Sequence, residues 1–424
     1  MSLTLSAGDR ELLDGTRGAG AAFAMRLVVR AAEVTGARRL IDITSAHVDS
    51  CLYHGEASLD FVDRLLAGGA SVRVPTTLNV GAVDLLHPDL YRGDAQVAQR
   101  GRLLMDRYRA LGARPTFTCA PYQLAEVRPA LGEQVAWGES NAIAFANSVL
   151  GARTNRYGDF MDVAAAITGR APAAGLHLDG PRHATLVLRL ARDVPPALRD
   201  SDALFPVLGL VLGRRAGSSV AAIDGLAPGQ SEDRLKALGA AAASSGSVAM
   251  FHVVGSTPEA PTLDAALGGA TPQSVQLVTL ADLRAAREAL TTATADRLGA
   301  VSLGTPHASL RELEAHAAML GGRRVADGVE LLISTGRDVL EQAERSGIAG
   351  RLRDAGAELL VDTCSYIAPV LRRTDGAVMT DSAKWAYYAP GNVGAQVVFA
   401  STAECIRSAV AGRIARDDAL WGAA

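Results

Sequence analysis

The chain predicts an α/β fold built mainly on parallel sheets. Short apolar runs alternate with helix-length amphipathic segments nearly throughout its 424 residues. Repeated strand–helix units require crossovers, which cover a sheet on both faces. Several apolar runs also end in polar, turn-forming clusters, as the carboxyl edge of such a sheet requires. With 49% hydrophobic but only 4% aromatic residues, the core must be made of Ala, Val, Leu and Ile.

Taken in order, residues 8–35 carry apolar positions at helical spacing, and Arg38–Thr44 follows as a strand. A Gly-rich bend at 68–70 leads into a second strand, Ser71–Val74. Helix 96–111 precedes a strand at 114–118, and residues 139–150 and 160–169 read as two further helices. From 184 to 255 the pattern is strand, apolar helix, strand, helix, strand, opened by Thr185–Leu188 and closed by Val248–Val254. Prolines at 258, 261 and 272 mark a connection, so subdomains are expected at 1–180, 181–265 and 266–424. Beyond it, strand Val275–Val278 precedes helix 281–297, and Ala300–Leu303 precedes a helix from Ser309. Ser309-Leu310-Arg311-Glu312 fits a capping box. Val329–Ile333 then precedes helix 336–355, and Glu358–Val361 delivers Cys364.

The bulk chemistry excludes several classes. Net charge is −3, from 42 basic and 45 acidic residues without a long block of either sign, so no nucleic-acid footprint is expected. The first residues lack a basic region followed by an apolar one, so no secretory leader is expected. The longest apolar stretch, Ala203–Gly213, is too short for a bilayer. Four cysteines in so long a chain make no disulfide framework, which points to a reduced, cytoplasmic enzyme. No phosphate-binding Gly-x-x-x-x-Gly-Lys-Ser/Thr motif occurs, and the Gly15–Gly20 segment does not follow a strand, so it is no dinucleotide loop.

Three cysteines stand in polar motifs: His47-Val48-Asp49-Ser50-Cys51, Thr118-Cys119-Ala120-Pro121 and Val361-Asp362-Thr363-Cys364. A buried cysteine is usually a small hydrophobe, and Cys405 fits that reading. The other three have turn-forming neighbours that a packing residue rarely needs. Thiolates gathered at strand ends are soft ligands suited to iron–sulfur clusters or zinc. Gly304-Thr305-Pro306-His307 would aim His307 at a substrate carboxylate or a metal, or simply lead into a helix. Ser334-Thr335-Gly336-Arg337 opens a helix whose N-terminus suits an anion. Ser140, Asn141 and Asn147 put polar groups where they cost helix propensity, which is expected where function overrides folding. Arg153 and Arg156 follow as candidate carboxylate clamps. Ser382 and Lys384 sit beside Trp385, Tyr387 and Tyr388, a local excess of the scarce aromatics.

Together these segments resemble the aconitase X family, the catalytic part of an iron–sulfur dehydratase group in the aconitase superfamily. The matching stretches are Ala46–Cys51, Thr118–Tyr122, Trp137–Ala142 with Ala146–Arg156, Gly304–His307, Val361–Cys364 and Thr380–Lys384. They extend over essentially the whole chain. The resemblance implies an aconitase-like, multi-subdomain α/β/α fold whose small swivel domain is absent here and is carried by a partner subunit. It implies a hydro-lyase acting on a small hydroxy acid: cis-3-hydroxy-L-proline, giving a pyrroline carboxylate, or in the alternative mevalonate 5-phosphate. A further alternative is a binding subunit that has lost its cluster. Thr305 stands where the phosphomevalonate type is expected to carry cysteine, which suits a [2Fe–2S] centre on Cys51, Cys119 and Cys364 and favours the hydroxyproline substrate. In this scheme Ser382, Lys384 and His47 are catalytic, while Ser140, Asn141, Arg153, Thr305 and His307 contact substrate.

Overall fold

A computed structural model describes residues 3–294, 296–373 and 375–422. The chain forms two compact units, one from Met1–Val83 with Asp94–His183, the other from Asp84–Gly93 with Ala184–Ala424.

The first unit is built on a parallel three-stranded sheet in the order Thr76–Leu78, Ala46–Val48, Ala136–Trp137. A separate antiparallel pair joins Leu40–Asp42 to Arg170–Pro172. The helical stretch expected at 8–35 is interrupted. Gly15 and Gly18 take positive φ, so one helix spans Ala7–Leu13 and a second Ala19–Val34. Two expected strands fail. Ser71–Val74 is not part of a sheet, and the paired residues are Thr76–Leu78 instead. Residues 114–118 form a single bridge to Thr77, because Phe117 has φ 41° and cannot continue an extended run. Cys119 therefore sits in an irregular loop and not at a strand end. The helix at Ser140–Phe145 runs on into a wider π-helical turn, Ala146–Leu150. Such turns recur at functional sites.

The second unit contains two parallel sheets, as the alternating pattern predicts. One orders Phe251–Val253, Ala221–Asp224, Leu186–Leu190 and Ser274–Val278. The other orders Ala357–Leu360, Glu330–Thr335, Leu298–Ala308, Ala377–Thr380 and Val397–Phe399. The apolar stretch near 203–213 is the helix Leu204–Ala216, which is buried against Glu232–Ser245. Contact there is so close that a Cβ on Gly209 would come within 2.7 Å of the Ala241 Cβ. No helix among the described residues is long and apolar enough to cross a membrane. The helix expected at 336–355 is broken by Gly347, at φ 73°, into Arg337–Arg345 and Ile348–Asp354. That expected at 281–297 ends early, at Ala289.

A large core packs against the five-stranded sheet, including Leu303, Ile333, Leu359, Met379 and Cys405. Cys405 is thus a packing residue. At the carboxyl edge, Gly304 has φ 80°, and a Cβ there would collide with the Ser334 carbonyl oxygen. Only glycine fits.

Candidate active site

In the first unit the parallel pairing of Ala46–Val48 with its neighbours buries His47 completely. Its Nδ1 is 2.8 Å from the Thr77 hydroxyl, on the adjacent strand. Burial holds its pKa down to about 4, against a smaller opposing pull from Glu139, so the imidazole is neutral at pH 7. Just beyond the strand, the Asp49 and Ser50 N–H groups donate to Asp162 at 2.6 and 3.1 Å, and the Ser50 hydroxyl donates to it as well. Asp49 accepts from the Asn79 amide. Burial first, and then the charges of Glu139, Asp159 and Asp162, push Asp49 up to about 8. Asp162 is raised to about 6, again mainly by burial. This turn holds the Cys51 sulfur 3.2 Å from the Asn79 carbonyl oxygen. Burial and the neighbouring carboxylates push the Cys51 thiol well up, so without a cation it stays protonated.

Asn141 is committed within the protein. Its amide donates to Glu139 and, at 2.8 Å, to the Cys119 carbonyl, while the Tyr122 hydroxyl donates to its oxygen at 2.8 Å. This residue ties the Cys119 loop to the helix. The unfavourable helix composition that marked it therefore serves positioning. Glu139 caps the same helix, accepting from the Ala142 N–H at 2.7 Å. Ser140 is the first residue of that helix and is half-buried. Arg153 is ion-paired to Asp179 and donates to the His177 carbonyl at 3.2 Å.

His177 was not singled out in the sequence. It lies between Gln134 and the Tyr157 hydroxyl, at 2.6 Å from each, and burial together with Arg182 and Arg153 lowers it to about 4. Between pH 6.5 and about 4 the unfolded chain binds a proton here that the folded chain does not. Stability should therefore fall on acidification, by about 3 kcal/mol from this group. His177→Gln should flatten that part of the decline, read from urea midpoints at pH 5 and 7.5. Equal pH dependence in the two proteins would refute the assignment.

In the second unit Cys364 is fully buried in the loop after Ala357–Leu360. Asp362, at φ 62°, bends the chain and is held by Arg337 at 2.6 Å and by the Leu85 N–H at 3.0 Å. Arg337 is thus spent on this loop, and not on an anion at its own helix start. His307 Nε2 lies 3.2 Å from the Thr363 carbonyl oxygen, and a His307 ring nitrogen and the Cys364 sulfur are within 4.8 Å of each other. Two ligands of one metal-containing group, each about 2.0–2.3 Å from the metal, have a separation of this order. Thiol plus imidazole is a donor pair suited to an iron–sulfur centre. Next to Cys364, Ser365 joins Ser302 at 2.7 Å and the Trp385 indole N–H at 2.9 Å. Ser382 caps the helix Ala383–Val393 and accepts from the Trp385 N–H at 3.1 Å. Lys384 is buried, with its ammonium 5.8 Å from the Tyr366 ring centre. The Thr305 hydroxyl is buried and has no hydrogen-bond partner among the described residues.

Sequence reasoning missed Lys236, buried between Glu312 and Asp233, the latter at 3.3 Å. It also missed His316, and it gave no role to Asp381 within the Thr380–Lys384 stretch. Only the capping role of Glu312 gave any signal.

Parallel sheets carrying buried thiols and a histidine at strand-edge loops define a candidate metal-dependent enzyme. The chain belongs to the aconitase X family: models of the first, second and third aconitase X domains match residues 2–180, 184–288 and 298–411. It is 46% identical over 412 residues to a cis-3-hydroxy-L-proline dehydratase of Pseudomonas aeruginosa, covering 96% of this chain and 70% of that one. Identity is 40% over 421 residues with the enzyme of the same name from Hypocrea jecorina, covering 97% and 69%. It is 37% over 401 residues with the phosphomevalonate dehydratase large subunit of Methanothermobacter thermautotrophicus, covering 94% and 97%. The crystal structure of Thermococcus kodakaraensis aconitase X in its holo-form superposes with a TM-score of 0.85 at 32% identity, over 96% of this chain and 100% of that one.

Proposed function

We propose that this chain is the catalytic part of an iron–sulfur-dependent hydro-lyase that dehydrates cis-3-hydroxy-L-proline to pyrroline-2-carboxylate. The observation that carries the substrate is the 46% identity to a dehydratase of that name, against 37% for a phosphomevalonate dehydratase large subunit. Thr305 agrees with it.

Cys51, Cys119 and Cys364 are the proposed thiolate ligands of a [2Fe–2S] centre, with His307 beside Cys364 a further donor. When bound, the centre supplies Lewis acidity to the departing hydroxyl. The remaining work falls to the chain's own side chains. The reaction takes a proton from the carbon beside the carboxylate and expels hydroxide from the next carbon, so negative charge builds at the carboxylate. Lys384 is proposed to offset that charge. Ser382 already accepts a backbone N–H, which eases development of negative charge on its oxygen. His47, which burial keeps neutral with its pKa held down to about 4, is proposed to position its neighbours by hydrogen bonding and not to hold a proton. Ser140, Asn141, Arg153 and Thr305 are proposed around the substrate, Asn141 through the loop it holds and Arg153 through its carboxylate-paired guanidinium.

A small swivel-domain subunit on a separate chain completes the proposal as a heterodimer. The name "large subunit" on the phosphomevalonate relatives supports it. Cysteines that form no disulfide suit a reducing cytoplasm. The test is to reconstitute the chain anaerobically with iron, sulfide and a swivel-domain protein and to assay both substrates. Turnover of cis-3-hydroxy-L-proline is expected. Turnover of mevalonate 5-phosphate alone would establish the second reading, and iron-free, inactive protein would establish a binding subunit.

A further inference from the structure

The segment Asp84–Gly93 belongs to the second unit, although the chain on both sides of it belongs to the first. It is fastened along the loop that carries Cys364. The Asp84 carboxylate, 2% exposed, accepts the Val361 N–H at 3.0 Å, and the Leu85 N–H donates to Asp362 at 3.0 Å. Further along, the Arg92 N–H donates to the Pro369 carbonyl at 2.8 Å, and a Cβ on Gly93 would come within 2.5 Å of the Pro369 Cγ. The segment therefore grips the loop both before and after the cysteine.

The first grip rests on two buried carboxylates. One Asp84 oxygen accepts the Leu86 and His87 N–H groups, at 2.8 Å each, which closes a local turn. The other oxygen takes the Val361 N–H and lies 2.9 Å from His87 Nδ1. Asp84 and Asp362 thus form a reciprocal pair, each accepting the N–H of the residue next to the other. Arg337 closes on Asp362 at 2.6 Å. Hydrogen bonds to carboxylates are about twice as strong as neutral ones.

What these bonds secure is an uncommon backbone. Asp362 has φ 62°, and a non-glycine residue stays in the left-handed region only where its surroundings over-determine it. Val361 and Asp362 are the two points held by Asp84 and Leu85. Released to an ordinary φ, Asp362 would turn the chain that follows, and Cys364 lies two residues on. Beyond the cysteine, Ser365 is tied to Ser302 and Trp385.

We infer that Asp84 is a positioning residue for Cys364: by fixing the Val361 amide it holds the loop, before any metal arrives, in the conformation in which the sulfur binds iron. The inference rests on the reading of Cys364 as a cluster ligand. A ligand loop ordered in advance loses less conformational freedom on binding, which raises affinity. Groups that act on a metal through its ligands are worth about 10- to 100-fold in affinity.

Asp84→Asn isolates the link. An asparagine oxygen can keep the Leu86 and His87 bonds, whereas its amide nitrogen cannot accept the Val361 N–H. The metal-free chain is treated with iodoacetamide, and alkylation of Cys364 and Cys405 is followed by peptide mass spectrometry. Cys405 lies in the apolar core of the five-stranded sheet and reports wider unfolding. In Asp84→Asn the Cys364 rate should rise at least about ten-fold, as expected when a hydrogen bond to a carboxylate is lost, with the Cys405 rate unchanged. His87→Gln, which alters only the imidazole beside the same carboxylate, should change neither rate. After anaerobic reconstitution, Asp84→Asn should give up its iron to a chelator at about ten-fold lower concentration than the unaltered protein. An unchanged Cys364 rate, equal acceleration of Cys364 and Cys405, an equal rise in His87→Gln, or iron held as firmly as before would each overturn the inference. A rise confined to Cys364 in a chain whose unaltered form takes up no iron would support the positioning and count against the iron-dependent reading.

Discussion

Replacing Cys364 by serine should strip iron from the reconstituted enzyme, bleach its visible absorbance and lower dehydration by more than about a hundred-fold. Removing even a group that merely supports a metal ligand costs 10- to 100-fold, so a ligand itself should cost at least as much. The sulfur is fully buried beside a His307 ring nitrogen. Serine is nearly isosteric but a poor ligand for soft iron–sulfur chemistry. Cys405→Ser provides the control, because that thiol lies in the apolar core of the five-stranded sheet. It should lose some stability and keep its iron. Iron and colour retained by Cys364→Ser, or lost equally from Cys405→Ser, would remove Cys364 from the ligand set.

The largest effect on stability is expected from Lys236→Met. The Lys236 side chain is 3% exposed, and its ammonium is shared by Glu312 and Asp233. Removing one partner of a buried pair strands the other, a loss of about 3 kcal/mol. Adding Glu312→Gln to that variant should recover part of the loss, since the stranded charge goes too. Urea unfolding of the two single variants and the double variant measures the coupling. Additive losses would show that the pair does not act as a unit.

How far the sequence reveals this arrangement depends on the range of the interactions. Helix and strand alternation in the second unit is legible because each parallel strand is an apolar run between turns. The Ser309 capping box is equally local, and it forms as written. Cys364 could be placed after a strand for the same reason. The loop before Cys119 could not, because the positive φ of Phe117 is imposed by its surroundings and leaves no mark in composition. Asn141 showed itself as a poor helix residue, yet its partners, Cys119 and Tyr122, come from another segment. Lys236 was silent. It meets Glu312 from 76 positions away, and nothing near it in the chain distinguishes it from a solvated lysine.

Gly304 places a limit on how this site can diversify. Any side chain there would run into the backbone of the neighbouring strand, so natural variation and laboratory redesign alike must pass over it. The adjacent residue, with its idle hydroxyl, is the nearest free dial for ligand preference.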